Sequence, residues 1–386
     1  MVIRMNKKIA IGLMSGTSMD GIDAAIIETD GERYIRELSN ISTEYTKQTQ
    51  SQFKNFEEKV RNANGTLPPN NETSEIITLS TNLHIEAVNL LLETYKYSPK
   101  DIDVIGYHGQ TIYHQPQNSI SIILGDGSRM AKELGIKVVS DFRSNDIKNG
   151  GQGAPFAPLY HRALALRDKL TPCVVVNCGG ISNITIIPTE NLEDLIAFDT
   201  GPGNGLIDKM VKEFSKGLEN MDLFGKYGMN GKVHENLIEL LYAKSITKNG
   251  KNFFNMPLPK SLDIGDMKIP NEFFEISIED SCRTLEAFTA DSIIRSANLF
   301  NKPLPQKWIL SGGGWNNPVI LSELKIKLEK YNAIASIADE IGWNSKALEA
   351  QIFAYLAVRS LDKKPLSIPS TTGVKAPITG GIIHNP

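Results

Sequence analysis

Apolar residues in this chain gather in short, β-branched runs that stop abruptly at glycines, hydroxyls and carboxylates. Ile9 to Leu13 predicts a buried strand and Ile22 to Ile27 a returning one, because short apolar runs bounded by turn residues suit a pleated, buried surface. Between them lies the polar turn of Gly12-Leu-Met-Ser-Gly-Thr-Ser-Met-Asp-Gly-Ile-Asp23, where Gly16 and Gly21 permit tight backbone angles. The same plan returns about 165 residues later in Cys173-Val-Val-Val-Asn-Cys-Gly-Gly-Ile-Ser-Asn-Ile-Thr-Ile-Ile187. One strand-turn-strand unit occurring twice predicts two domains built alike. Further strands are predicted at Val104 to Tyr107, Ser121 to Leu124, Leu195 to Phe198 and Trp308 to Leu310. Each ends in a polar cluster: His108-Gly-Gln-Thr111, Gly125-Asp-Gly127, Asp199-Thr-Gly-Pro-Gly-Asn204 and Ser311-Gly-Gly-Gly314. Ligands of open α/β sheets bind at that carboxyl edge, where the loops converge.

Helical spacing runs instead from about Ser74 to Tyr95, from Asp280 to Leu299 and from Ser345 to Leu361, the last carrying Leu348, Ile352, Tyr355 and Leu356. Glu349 stands out on that apolar, Ala-rich helix. Asn317 and Pro318 open another helix through Leu324 and Leu328. Residues 40–75 are polar, and Asn64-Gly-Thr-Leu-Pro-Pro69 reads as a loop between helical segments.

With 386 residues the chain exceeds one typical core, so two domains of roughly 150–200 residues are expected. Its 41% hydrophobic and 22% charged residues and net charge of -3 are ordinary for a soluble protein and supply no basic stripe, so a nucleic-acid partner is not expected. No apolar run approaches the roughly 20 residues that span a bilayer, and residues 1–8 lack the apolar segment of a signal peptide. A cytoplasmic enzyme without a membrane partner is therefore expected. The three cysteines show no CxxC spacing and the six histidines no HExxH, which argues against a disulfide framework or a zinc site. Cys173 and Cys178 fit buried thiols within a strand.

The two turns carry the chemistry. Backbone amides and the hydroxyls of Ser15, Thr17 and Ser18 suit an anion, and Asp20 or Asp23 is available to hold a hydrated metal. Gly312 to Gly314 would let a flat base lie against the backbone. No Walker A sequence occurs, and Gly201-Pro-Gly203-Asn-Gly205 misses the dinucleotide spacing. A serine nucleophile at Ser15 fails because Leu13 and Thr17 stand where the elbow needs glycine.

Taken in order, Gly12 to Asp23, Tyr107-His-Gly-Gln-Thr111, Asp141-Phe-Arg143, Gly150-Gly-Gln-Gly-Ala-Pro155, Asn177-Cys-Gly-Gly-Ile-Ser-Asn183, Phe198-Asp-Thr-Gly-Pro-Gly-Asn204 and Ser311-Gly-Gly-Gly314 resemble the anhydro-N-acetylmuramic acid kinase family. The match runs from about residue 9 to the C-terminus. The resemblance implies an α/β fold of two actin-like ATPase (ribonuclease H-like) domains, with mixed β-sheets flanked by helices, facing across a nucleotide cleft. It implies a first domain of residues 1–140 plus about 366–386, and a second of residues 141–365. It further implies a kinase of peptidoglycan recycling that uses ATP, Mg2+ and water to turn 1,6-anhydro-N-acetylmuramic acid into N-acetylmuramic acid 6-phosphate. Small-molecule sugar and ATP are then the partners, and a homodimer is a family-level expectation.

Carried onto this sequence, the resemblance makes Asp199 the catalytic base. It assigns ATP to Gly16, Thr17, Ser18, Met19, Asp20, Gly21, Ile22 and Asp23, to Asn177, Gly179 and Gly180, to Gly201 and Gly203, and, on the adenine side, to Gly312, Gly313 and Gly314. Asp20 is the candidate for a water-mediated Mg2+ contact. Arg143 offers the planar donor that a lactyl carboxylate needs, and His108, Gln110 and Glu349 are candidates for sugar hydroxyls or the acetamido group. The chain keeps Pro259, Lys260 and Ser261 of a family segment but has Leu262-Asp-Ile264 where many members carry Thr-Gly-Arg. An alternative reading is an actin-like ATPase acting as a nucleotide-switched protein-binding module. That reading has no use for the clusters at His108 to Thr111, Asp141 to Arg143 and Gly150 to Pro155.

Overall fold

The computed structural model describes residues 7–115 and 120–386. The N-terminal residues whose sequence argues against a leader fall mostly outside that range. The chain divides into two compact units, Met1–Lys169 with Lys346–Pro386, and Leu170–Ser345. Residues 141–169 and 346–365 thus belong to the first unit, not to the second as expected from sequence.

The first unit opens with β1 (Lys8–Ser15), β2 (Gly21–Thr29) and β3 (Ile35–Glu44), followed by α1 (Lys47–Asn62) and α2 (Asn70–Tyr95). Next come β4 (Val104–Gln115), β5 (Ile120–Leu124), α3 (Gly127–Leu134), β6 (Val138–Ser140), α4 (Ser144–Lys148) and α5 (Ala157–Arg167). The second unit contains β7 (Cys173–Cys178), β8 (Ile181–Ile187), β9 (Ile196–Pro202), α6 (Gly205–Phe214), α7 (Glu235–Lys244), α8 (Ile278–Ala297), β10 (Lys307–Ser311), α9 (Pro318–Glu329) and β11 (Ile334–Ile337). The chain then returns to the first unit with α10 (Leu348–Leu361), α11 (Pro369–Thr372) and β12 (Ile382–His384).

Both sheets follow one plan. In the first, β1, β2 and β3 form an antiparallel meander, β4 lies parallel to β1 on its other side, β6 lies parallel to β4, and β12 closes the edge. In the second, β7, β8 and β9 form the meander, and β10 and β11 add in parallel beside β7. This shared strand order, with helices against the sheets, is the duplicated ribonuclease H-like α/β architecture. Its two hairpins are the two turns read from sequence.

Alternation along β1 decides what covers each face. Ile11 and Leu13 join Phe53 and Phe56 of α1 and Val88 and Leu91 of α2 in one core. Gly12 faces α10 instead: a Cβ there would stand 1.8 Å from the Ala350 carbonyl oxygen, and one on Gly106 of β4 would stand 2.0 Å from that of Phe353. The helix therefore lies directly on strand backbone, which only glycine permits. That contact, with the Tyr160 hydroxyl of α5 donating to Gln351 Oε1 at 3.0 Å, explains why residues 141–169 and 346–365 join the first unit. In the second unit Val174, Val176, Ile184 and Phe198 pack with Leu206 of α6, Leu241 of α7 and Leu285 and Phe288 of α8.

Three local expectations change. β3 is an extra strand; its residues are mostly half-exposed, because it forms the sheet edge, so its sequence reads as polar. β4 does not stop at Tyr107. Gly109, with φ of 84°, redirects the strand, which leaves β1 after the Ser15 and Gln110 pairing and continues as a hairpin with β5 from Gln110 and Leu124. The His108 to Thr111 cluster thus lies inside a strand. Asp199 likewise lies within β9, where the register slips past Thr200 so that Asn183 faces Asp199 and Ser182 faces Gly201. All three cysteines are buried free thiols. Among the described residues no helix is long and apolar enough to cross a membrane.

Candidate functional site

The first turn is residues 16–20, closed by the Met19 amide donating to the Gly16 carbonyl at 3.2 Å. It is braced from below. Ser15 Oγ lies 2.8 Å from the Tyr45 hydroxyl and 3.0 Å from the Gly21 carbonyl oxygen, and it also contacts Gln110 Oε1. The Gln110 amide donates to the Gly16 carbonyl at 2.8 Å and to that of Thr111 at 3.1 Å. Gln110, fully buried, is therefore a brace of the turn, and its amide is not free for a sugar. Met19 and Ile22 point into the core, so only their backbone is available to a ligand. Thr17, Ser18 and Asp20 are exposed, and Ser18 Oγ donates to Asp20 Oδ1 at 2.8 Å.

Negative charge collects beside this turn. Burial and neighbouring Asp20 raise the Asp23 carboxyl, against the Ser42 hydroxyl and Lys346. Glu349 lies on the first turn of α10; desolvation by the surrounding protein raises its carboxyl first, Asp23 and Asp20 add to the rise, and Arg143 opposes it. Three carboxylates against two cations form a field that suits a hydrated divalent ion. Among the described residues no group of three or more His, Cys, Asp or Glu is placed to hold a metal directly.

A cavity of about 260 Å³ opens beside the Gly109 bend of β4 and the carboxyl end of β6, lined among others by His108, Ser121, Ser140, Asp141 and Arg143. Arg143 donates from Nε and Nη2 to His108 Nε2, at 3.1 and 2.9 Å, and from Nη1 to the Gly153 carbonyl. Because Nε2 accepts, the imidazole proton sits on Nδ1, 3.0 Å from the Gly109 carbonyl oxygen. Burial and then the Arg143 charge hold His108 well below the ordinary histidine range, so it is neutral. Burial lowers Arg143 to about 10, partly offset by Glu349 and Asp146; the guanidinium remains charged. Of the four sugar candidates, His108 and Arg143 therefore meet in one cavity, Gln110 braces the turn, and Glu349 acts electrostatically on both Arg143 and the carboxylates beside the turn.

In the second unit Asp199 is fixed from both ends. Its amide donates to the Lys260 carbonyl at 2.9 Å, and its Oδ2 accepts from the Leu262 amide at 2.8 Å. Burial pushes its carboxyl up to about 7, while the Leu262 amide and the Lys260 ammonium draw it down. A partly exposed carboxylate poised near neutrality, with one oxygen anchored, can take a proton from a bound water.

The second turn is a lattice of carbonyls. Gly180 O accepts from the amides of Gly203 (2.9 Å) and Gly205 (3.1 Å), and Gly179 O from that of Asn204 (2.7 Å), so the turn is bound to the start of α6. A Cβ on Gly203 would stand 2.1 Å from Gly179 O, and one on Gly312 2.6 Å from Asn177 Oδ1. The Gly312 loop thus lies on the end of β7. Gly180 and Gly313 differ: a Cβ on either meets nothing within 4 Å, which leaves both free to line a ligand. Gly201 sits at the slip in β9 against Ser292 and is a backbone requirement of Asp199's placement. Asn317 caps α9, accepting from the Val319 amide at 2.9 Å.

Sequence reasoning passed over Lys260 and the Leu262 amide as site groups. Pro259-Lys-Ser261 stood out only as a shared segment, and its pairing with β9 depends on residues about 60 positions apart.

A family model described as anhydro-N-acetylmuramic acid kinase matches residues 8–386. A protein of Methylorubrum extorquens named anhydro-N-acetylmuramic acid kinase is 40% identical over 395 residues, covering 99% of this chain and 100% of its own length. A Rhizobium johnstonii protein of the same name is 42% identical over 379 residues, 98% of each chain. A solved ROK family glucokinase from Streptomyces griseus, in complex with glucose and AMPPNP, aligns over 90% of this chain and 99% of its own at 12% identity and a TM-score of 0.41, a likeness too slight to bear on function. The near-complete match at this identity is decisive: the chain belongs to the anhydro-N-acetylmuramic acid kinase family and is a sugar kinase.

Proposed function

We propose that the protein converts 1,6-anhydro-N-acetylmuramic acid, ATP and water to N-acetylmuramic acid 6-phosphate and ADP, in the cytoplasmic recycling of peptidoglycan. Asp199 takes a proton from water as the water oxygen bonds to the anomeric carbon. The bond from that carbon to the bridging 6-oxygen breaks, and the 6-oxygen, carrying the electron pair, bonds to the γ-phosphorus as the bond to ADP breaks. Such a sequence needs a base anchored against the sugar and ionised near neutral pH, and the fixed carboxyl of Asp199 is the observation that carries this reading.

The exposed hydroxyls of the first turn and the open faces of Gly180 and Gly313 support ATP at these residues, with Asp20 holding Mg2+ through water. When bound, that ion offsets phosphate charge. Arg143, oriented by His108 and Gly153, supports recognition of the lactyl carboxylate in the cavity beside it. A homodimer is proposed on family grounds, and sedimentation analysis tests it. The relatives lend no support to the nucleotide-switched binding module.

Incubation with Mg-ATP and the anhydro sugar in oxygen-18 water tests the reading. Label at the anomeric hydroxyl of a 6-phosphorylated product is expected, and ATP turnover indifferent to the sugar would sink the proposal. Asp199→Asn is expected to lower kcat at least 10³-fold, by analogy with the weight of a general base and its positioning, with ATP binding retained.

A further inference from the structure

We infer that Lys260 is a positioning residue for the catalytic carboxylate: its buried ammonium supplies the counter-charge to Asp199 and holds in place the segment that donates the carboxylate's backbone hydrogen bond. This inference rests on the reading of Asp199 as the base.

A lysine only 1% exposed is unusual, because burying an ammonium is costly unless it is compensated. Among the described residues Lys260 makes no ion pair at contact distance. Its Nζ has one long hydrogen bond, 3.4 Å to the Phe253 carbonyl, and stands over the rings of Phe253 and Phe254, 4.3 and 5.4 Å from their centroids. Ring faces attract a cation and keep water from it, so the charge acts on its surroundings with little screening.

The charged group it acts on is Asp199. Residues 260 and 262 straddle that side chain, one accepting from its amide and the other donating to its Oδ2. Asn183, opposite Asp199 on β8, is uncharged. Arg295 of α8 lies over the Tyr242 ring at 3.9 Å and opposes the Lys260 charge. Asp263 is paired outward with Lys248 at 2.8 Å. Burial lowers Lys260 to about 8 while Asp199 pulls it upward, and Lys260 in turn draws Asp199 downward. Removing the cation therefore leaves burial less opposed, and Asp199 will hold its proton to higher pH.

The test compares the pH dependence of kcat/KM in wild type, Lys260→Met, Lys260→Gln and Lys260→Arg. The acid limb is expected to move up by about one pH unit in Met and Gln, giving roughly a tenfold loss near pH 6 that narrows above pH 8. Arg should restore the wild-type limb, and the KM for ATP should stay within about twofold in all. Titration of 13C-labelled aspartate by NMR in the same proteins should show the Asp199 resonance shifting in parallel, a readout independent of turnover. An unchanged limb and an unchanged Asp199 titration in either neutral variant overturn the inference, even if the rate falls. Failure of the base reading looks different: Asp199→Asn would then keep its activity and its acid limb.

Discussion

Helix α10 lies so close to β1 that one methyl group should displace it. In Gly12→Ala the new Cβ would stand 1.8 Å from Ala350 O and 2.5 Å from Ala354 N, whereas ordinary contact begins at 3.4 Å. The shortfall is about 1.6 Å, and both obstacles are backbone, so no rotamer change relieves it. The helix must lift along its length and lose contact with β1, β2 and β4. Overpacking of this kind costs about 1–3 kcal/mol and more when rigid groups collide, so about 2–4 kcal/mol is expected here. For a unit of about 210 residues that lowers the melting temperature by roughly 4–16 °C. Thermal unfolding by circular dichroism, with hydrogen exchange to confirm that protection is lost in β1, β4 and α10, measures it. Because Glu349 precedes Ala350, catalysis should suffer as well. Gly180→Ala and Gly313→Ala form the internal contrast: their Cβ atoms meet nothing within 4 Å, so stability should stay within about 0.5 kcal/mol while the KM for ATP rises. A Gly12→Ala protein that melts within 1 °C of wild type would refute the close-packing argument.

The remaining predictions concern charge. On the proposed role of Asp199 as the base, activity should fall as pH drops through about 7, with unit slope, because a general base works only when deprotonated; a rate flat from pH 5 to 8 in the kcat/KM profile would move the base elsewhere. Glu286, fully buried with the Asn317 amide 2.6 Å from Oε1, is pushed up to about 8 by burial, with Asp222 adding to it. Its contribution to stability is complete below its unfolded pKa and lost as pH rises through about 8. Glu286→Gln, which keeps the shape and the bond to Asn317, should flatten the fall in urea midpoint between pH 5 and 9, and an unaltered pH dependence would contradict this. Arg143→Lys removes a fork shared between His108 and Gly153, so the KM for the sugar should rise about tenfold or more with that for ATP unchanged; steady-state kinetics with each substrate varied in turn will show whether it does.

Much of this protein lies in short-range pattern. The runs at Ile9 to Leu13 and at Cys173 to Cys178, each followed by a glycine turn and a returning β-branched run, contain the hairpins that start both sheets, because period-two burial and turn chemistry are local properties. The motif order disclosed the family. Asp199 stood out as a candidate for the same reason, although the Pro/Gly sequence after it suggested a turn where the chain continues as a slipped strand. β3 escaped notice because an edge strand buries too little to leave a periodic signal.

What tertiary structure alone decided is which distant residues meet. Gly12 and Gly106 look like ordinary strand glycines until α10, more than 200 residues later, is laid on them, and that contact assigns the returning chain to the first unit. Gln110 reads as a ligand donor in sequence, yet packing turns its amide onto the Gly16 carbonyl. Lys260 shows in sequence only as part of a segment shared with the family, yet aromatic rings stand against it beside Asp199. Sequence by itself determined the strands, turns and chemical groups, since these follow from neighbours along the chain. Burial and charge environment depend on neighbours in space, so only the folded chain could determine which groups brace, which tune and which remain free to act.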